Sequence, residues 1–150
     1  MEDPSELMQT GLTIEPVWFD TDVVQYRIKA SNGRFSGVTH VYELHDSPRA
    51  WAKQLAGFPQ RASDRRRMTW GASSPLQAGG FADLQFACID SAGHAALEIV
   101  LVSEWRRSGE AVESAQFHLN ITAASLDRFV EQLRTLWTNP PNSAHLTLAT

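Results

Sequence analysis

The sequence predicts a single α+β domain. It is built on one antiparallel, strongly bent sheet of about seven strands with two helices packed on one face, in the order βββαββββα. Three observations carry this expectation. First, 150 residues at 43% hydrophobic suit one domain with a buried core, and five Trp, seven Phe and two Tyr supply large apolar area. Second, apolar and polar residues alternate with the period of a half-buried strand through most of the chain, while only two segments carry helical spacing. Third, no strand–helix–strand alternation supports a parallel nucleotide-binding sheet. The domain is expected over residues 12–138, between a flexible acidic N-terminus (1–11) and a C-terminal tail (139–150) whose last eight residues trail.

Leu12 to Phe19 has apolar residues at 12, 14, 17 and 19, and Pro16 breaks the alternation, so it reads as an edge strand with an irregularity. Val23 to Ala30 places Val24, Tyr26, Ile28 and Ala30 in one row and Gln25, Arg27 and Lys29 in the other. Asn32-Gly33 suits a type I′ hairpin turn, with positive φ expected at both residues. A two-residue loop there opposes Ala30 to Phe35 and Tyr26 to Thr39. Phe35 and Val41 then fall on the core side, and Val38, His40 and Tyr42 on the other. Asp46-Ser47-Pro48 starts a helix with a capping side chain and an early proline, Trp51 and Leu55 share its buried face, and Gly57 ends it in the left-handed region.

Met68 and Trp70 mark a short strand after the basic segment, and Ser73 to Gly80 reads as a loop. Phe81 to Ile89 and Ala95 to Glu104 form a hairpin. Opposing Asp90 to Gly93 pairs Cys88 with Ala95, Phe86 with Leu97 and Leu84 with Ile99, so that the apolar rows meet. After a turn at Arg107 to Glu110, Val112 to Thr122 alternates again, with Phe117, Leu119 and Ile121 inward. Leu126, Phe129, Val130, Leu133, Leu136 and Trp137 then give an amphipathic helix over Ser125 to Trp137, stopped at Asn139-Pro140-Pro141-Asn142.

Composition excludes several classes of function. The net charge of −4 argues against general nucleic-acid binding. No apolar run approaches the roughly 20 residues a bilayer requires, and residues 1–11 lack a signal peptide's basic-then-apolar order, so a cytoplasmic protein without a membrane partner is expected. A single cysteine, Cys88, rules out an internal disulfide, and its row makes it a buried, inert thiol. The chain lacks a phosphate-binding glycine loop, a GxSxG elbow and any metal-ligand spacing, so no cofactor, metal or catalytic residue is assigned. A His118–Glu98 pair has the chemistry of an acid–base couple, because imidazole titrates near neutral pH, but strand register leaves Glu98 or Val100 as its neighbour, and an exposed polar sheet face is the favoured reading of these residues.

Charge is uneven. Residues 1–22 hold six acids and no base, which leaves 13 bases against 11 acids elsewhere, and Arg61, Arg65, Arg66 and Arg67 surround Asp64. The candidate partner contacts are therefore the acids Glu15, Asp20 and Asp22, the arginines Arg65 and Arg66, and the polar strand residues His40, Tyr42, Glu98 and His118. They suit a protein-binding surface, either for a different protein or for self-association.

From His94 to Leu136, the pattern Gly93-His94-x-x-Leu97-x-Ile99-x-Leu101, Phe117-x-Leu119-x-Ile121 and Leu126-x-x-Phe129-x-x-x-Leu133 stands beside Phe35-Ser36-Gly37 and Trp51-x-x-x-Leu55-x-Gly57. Over residues 23–136 this arrangement resembles small bacterial WapI-like immunity proteins and related domains of unknown function. The resemblance implies a non-enzymatic protein that neutralises a cognate toxin by direct binding, and it brings no catalytic residues. The alternative is a small-molecule-binding protein or hydrolytic enzyme with a site near Arg61–Arg67.

Overall fold

The computed structural model describes residues 9–71, 79–104, 112–136 and 142–149. Most of the acidic N-terminus, the loop around Pro75, the turn at Arg107 to Glu110, Trp137 and the Asn139-Pro140-Pro141 stop lie outside them. Strands β1 (Gly11–Phe19), β2 (Val23–Ser31) and β3 (Ser36–Leu44) precede helix α1 (Ser47–Leu55). Strands β4 (Arg65–Gly71), β5 (Phe81–Cys88), β6 (His94–Val102) and β7 (Ser114–Thr122) follow, then helix α2 (Ala123–Arg134) and strand β8 (Ala144–Leu146). The chain is α+β and its strand pairs are antiparallel, but the strands do not form one bent seven-stranded sheet. They form two four-stranded sheets, ordered β3-β2-β1-β8 and β4-β5-β6-β7.

The sheets divide where β3 crosses the ends of the second sheet. Gly80 N–H donates to the His40 carbonyl (2.7 Å), and Thr39 Oγ1 donates to the Val102 carbonyl (2.6 Å). These bonds staple a crossing and do not extend a ladder. Backbones approach this closely because glycines stand at the contact. A Cβ on Gly80 would overlap Thr39 Oγ1, and one on Gly71 would sit 2.8 Å from the Val41 side chain.

One core fills the space between the sheets and the helices. The inward rows of both sheets supply Leu12, Ile14, Tyr26, Ile28, Val41, Met68, Leu84, Phe86, Leu97, Ile99, Phe117 and Leu119, all buried. Trp51 of α1 stacks on Trp70 of β4 (3.7 Å between ring centroids), and Trp70 meets Tyr26 edge-on at 5.5 Å. The helices pack on each other, α1 also on β4 and α2 on β7 and β8, so they close the core against both sheets instead of covering one face of a single sheet.

Several local expectations change. β8 pairs with β1, so residues 144–146 do not trail and β1 lies inside its sheet instead of at an edge. Its anchors are Leu146, paired with Leu12, and Ala144, paired with Ile14, both fully buried. In the β2–β3 hairpin Ser31 pairs with Ser36 and Tyr26 with Val41, leaving a four-residue turn. This two-residue shift keeps strand parity: Val41 stays inside, and His40 and Tyr42 stay outside beside Arg27 and Gln25. Phe35, expected in the core, lies in the turn at 62% exposure. Gly33 takes a positive φ (+89°) but Asn32 does not. The Asn32 side chain closes the turn instead, with Oδ1 accepting from the N–H groups of Arg34 (2.9 Å) and Phe35 (2.8 Å).

The β5–β6 register, with Cys88 opposite Ala95 and Phe86 opposite Leu97, is as expected from Asp90-Ser91-Ala92-Gly93. Asp46 occupies the N-cap of α1 without a capping side-chain bond, and Gly57 follows the helix at φ +76°. α2 begins earlier than expected because Thr122 and Ser125 form a reciprocal capping box.

Candidate functional site

The candidate residues divide between two surfaces, one on each sheet. On the outer face of the first sheet, Glu15 lies opposite Arg27, His40 opposite Arg27 on the other side, and Tyr42 opposite Gln25. Glu15 accepts from Arg27 Nε at 2.8 Å, and Lys29 stands 3.7 Å away, so its charge is engaged within the sheet. The His40 ring meets Glu104 Oε1 at 3.0 Å, an atom that also accepts from the His40 backbone N–H (3.2 Å). Asp20 folds its carboxylate onto the β1–β2 turn, accepting from the N–H groups of Asp22 and Val23 at 2.8 Å each. Those two donors hold its carboxyl below the usual carboxylate range. Asp22 is exposed beside it.

A β-bulge decides what this face shows. Pro16 pairs with buried Tyr26, but the next paired residue is Trp18, opposite outward-facing Gln25, and Val17 is left as the extra residue. One inserted residue inverts strand parity, so Leu12 and Ile14 point inward while Trp18, also even-numbered, points outward. Trp18 is 49% exposed, Phe19 58% and Leu44 60%. Trp18 meets Tyr42 edge-on at 6.4 Å, and with Val23 and Gln25 they line an open, mainly apolar hollow of about 470 Å³. Sequence reasoning left Trp18, Phe19 and Leu44 off the candidate set. The signal was Pro16, whose break in the alternation is the bulge itself.

The second surface is the outer face of the second sheet, where strand pairing sets Arg67, Gln85, Glu98 and His118 in one row. The next row is Arg65, Ala87, Ala96 and Asn120. A groove of about 320 Å³ runs between them, lined by Arg65, Arg66, Arg67, Glu98 and His118 among others. Glu98, and not Val100, is the cross-strand neighbour of His118. His118 Nε2 stands 3.7 Å from Glu98 Oε2, beyond hydrogen-bond reach, while Glu98 Oε1 accepts from Gln116 at 2.7 Å.

Strand alternation separates the three arginines. Arg66 points to the side of β4 that meets α1, donating to the carbonyls of Gln54 (2.9 Å) and Ala56 (2.8 Å), to Asp64 (2.9 Å), and lying over the Phe58 ring. It pins the end of α1. The Arg66 side chain holds the Asp64 carboxyl below its ordinary range, helped by the Gln60 N–H. Arg67 grips Asp83 with two bonds of 2.9 and 2.8 Å. Arg65 is exposed and makes no hydrogen bond or ion pair among the described residues. β4 also lies at a sheet edge, where a run of charge discourages pairing with another chain.

Cys88 is half-buried at the margin of the core, its thiol facing the Arg61 carbonyl at 3.7 Å. His94 pairs with Asp90 (2.8 Å) and His145 with Thr13 (2.7 Å). Among the described residues no three His, Cys, Asp or Glu side chains gather to hold a metal ion, and no helix is long and apolar enough to cross a membrane. Comparison with known proteins returns no matching family model, no matching curated protein and no matching solved structure.

Proposed function

We propose that this protein is a non-enzymatic binding module that engages a basic protein partner through the aromatic end of its first sheet. The observation that supports this most is the bulge at Pro16–Trp18, which carries an indole out of the core and onto the outer face of the sheet beside Tyr42, with Leu44 exposed further along the same strand row. Large aromatic side chains exposed together are the usual anchors of protein interfaces, because they bury much area at small entropic cost. The neighbouring turns are acidic: residues 17–23 and 45–50 hold Asp20, Asp22 and Asp46 against the single base Arg49, while Glu43 turns to the other side of β3 and accepts from the Gly71 N–H. An apolar anchor beside acidic turns complements a partner with an apolar pocket and a basic rim, and opposite charge speeds encounter. Neutralisation of a toxin, the role implied by the sequence resemblance, is one form such binding takes.

The test compares partner capture from source-cell extract by the wild-type protein and by Trp18→Ala, followed by association kinetics with the captured protein. A partner lost with Trp18→Ala, and recruited more slowly by an Asp20→Lys/Asp22→Lys variant in a manner that fades as salt rises, supports the reading. Capture indifferent to Trp18→Ala overturns it. Concentration-dependent dimerisation abolished by Trp18→Ala would replace the basic partner with a second copy. Turnover of an ester, phosphoester or nucleotide that disappears in His118→Ala would make the protein an enzyme.

A further inference from the structure

We infer that the groove on the second sheet is a binding site for a small dipolar molecule, with a carboxylate or similar anionic group at one end and an amino group at the other. The inference rests on which charges in the groove are already satisfied. Arg67 is held by Asp83, and Arg66 is committed to Asp64 and the end of α1. Arg65 remains, an exposed guanidinium with five donors and no partner among the described residues. Across the groove, Glu98 uses Oε1 for Gln116, while Oε2 stands 3.7 Å from His118 and retains its acceptor capacity.

The floor between these two groups is small and apolar. Ala87 and Ala96 pair directly with each other, and their methyl groups leave the hollow in a face otherwise built from Arg, Gln, Glu, His and Asn. Arg65 on β4 and Glu98 on β6 are separated by two strand spacings, about 10 Å between their strands, and both line the hollow with the two alanines. An unpaired guanidinium stands on one side of the apolar floor, and on the other a carboxylate whose Oε2 accepts no hydrogen bond among the described residues and has only His118 at 3.7 Å. A simple anion would meet Glu98, and a simple cation would meet Arg65 and Arg67. The arrangement therefore selects for both charges on one molecule, at a fixed separation. The volume of about 320 Å³ suits a ligand of a few to a dozen heavy atoms.

The experiment is an amide NMR titration of the full chain with ω-amino acids of graded length, from glycine to 6-aminohexanoate, and with hexanoate and hexylamine as single-charge controls. One member of the series is expected to shift the amides of Ala87, Ala96 and His118 saturably, at least about tenfold more tightly than either control. Arg65→Ala should reduce that ligand to the level of hexylamine, and Glu98→Gln to the level of hexanoate. Both positions are on the surface, and unchanged melting temperatures establish that the variants fold. Absence of saturable shifts, equal binding of the controls, or binding unchanged in both variants would overturn the inference. Trp18→Ala should leave the titration untouched, so the outcome is independent of the protein-binding surface.

Discussion

Replacing Gly80 with alanine tests the crossing that divides the sheets. The glycine does not need a positive φ, so alanine is not opposed by backbone conformation, and by restricting the unfolded chain it would contribute about 0.4–1 kcal/mol of stability. Sterics oppose it. The new Cβ would overlap Thr39 Oγ1 and stand 2.6 Å from the Val102 carbonyl oxygen and 3.1 Å from that of His40. Two of these contacts involve backbone, which cannot swing aside as a flexible side chain does. Overpacking of this kind costs about 1–3 kcal/mol. Displacing the Thr39 hydroxyl from Val102 forfeits a further 0.5–1.5 kcal/mol or so. The net loss is roughly 0.5–4 kcal/mol, read in urea melts as a lower midpoint at unchanged slope, or as a fall in Tm of roughly 1.5–12 °C. Combining Gly80→Ala with Thr39→Ala removes the overlap with Oγ1, so the double variant should be more stable than the summed single effects by at least about 0.5 kcal/mol. A neutral Gly80→Ala, or strict additivity in the cycle, would refute the stapled crossing.

Other consequences are equally direct. Leu133→Ala should cost about 2–5 kcal/mol in chemical denaturation, because its fully buried side chain would leave a cavity beneath α2. Arg66→Ala should lower stability by about 1–3 kcal/mol through loss of the bonds to the Gln54 and Ala56 carbonyls, and Arg66→Lys should recover little, since an ammonium does not reproduce the forked geometry. On the acid side, Asp20 and Asp90 are held below the usual carboxylate range by backbone N–H donors, so their stabilisation is complete above the unfolded-state pKa and is lost as pH falls through the lower folded value. Asp20→Asn or Asp90→Asn should flatten that part of the stability–pH curve. Burial holds the His145 imidazole below its ordinary value, so the unfolded chain protonates first. Stability should begin to fall as pH drops below about 6.5, and hydrogen exchange in β1 and β8 should report the loosening.

The legible parts of the fold are those set by neighbours in sequence. Cys88, Phe86 and Leu84 find Ala95, Leu97 and Ile99 because one four-residue turn sets the register of both strands. The β2–β3 turn shows the limit of such reasoning. Asn-Gly suits two positive φ angles, but an Asn side chain that accepts from the N–H groups two and three residues on closes a longer loop instead, and that choice leaves no trace in the dipeptide. Half of the His118–Glu98 question was open for a similar reason: the β6–β7 connection is long, and a shift of two residues preserves every apolar row while exchanging Glu98 for Val100.

Element order through α2, the inward rows of the strands and the helix faces were determined by the sequence alone, since periodicity and residue chemistry act over a few neighbours. The division into two sheets, the docking of β8 on β1 and the assembly of Arg65, Glu98 and His118 around an alanine floor were decided only by tertiary structure. Each joins segments tens of residues apart through backbone hydrogen bonds and close contacts, which no local pattern encodes. Trp18 stands between the two cases. Pro16 announces an irregularity, but whether the indole turns inward or outward depends on which residue of β1 goes unpaired, and the partner strand settles that.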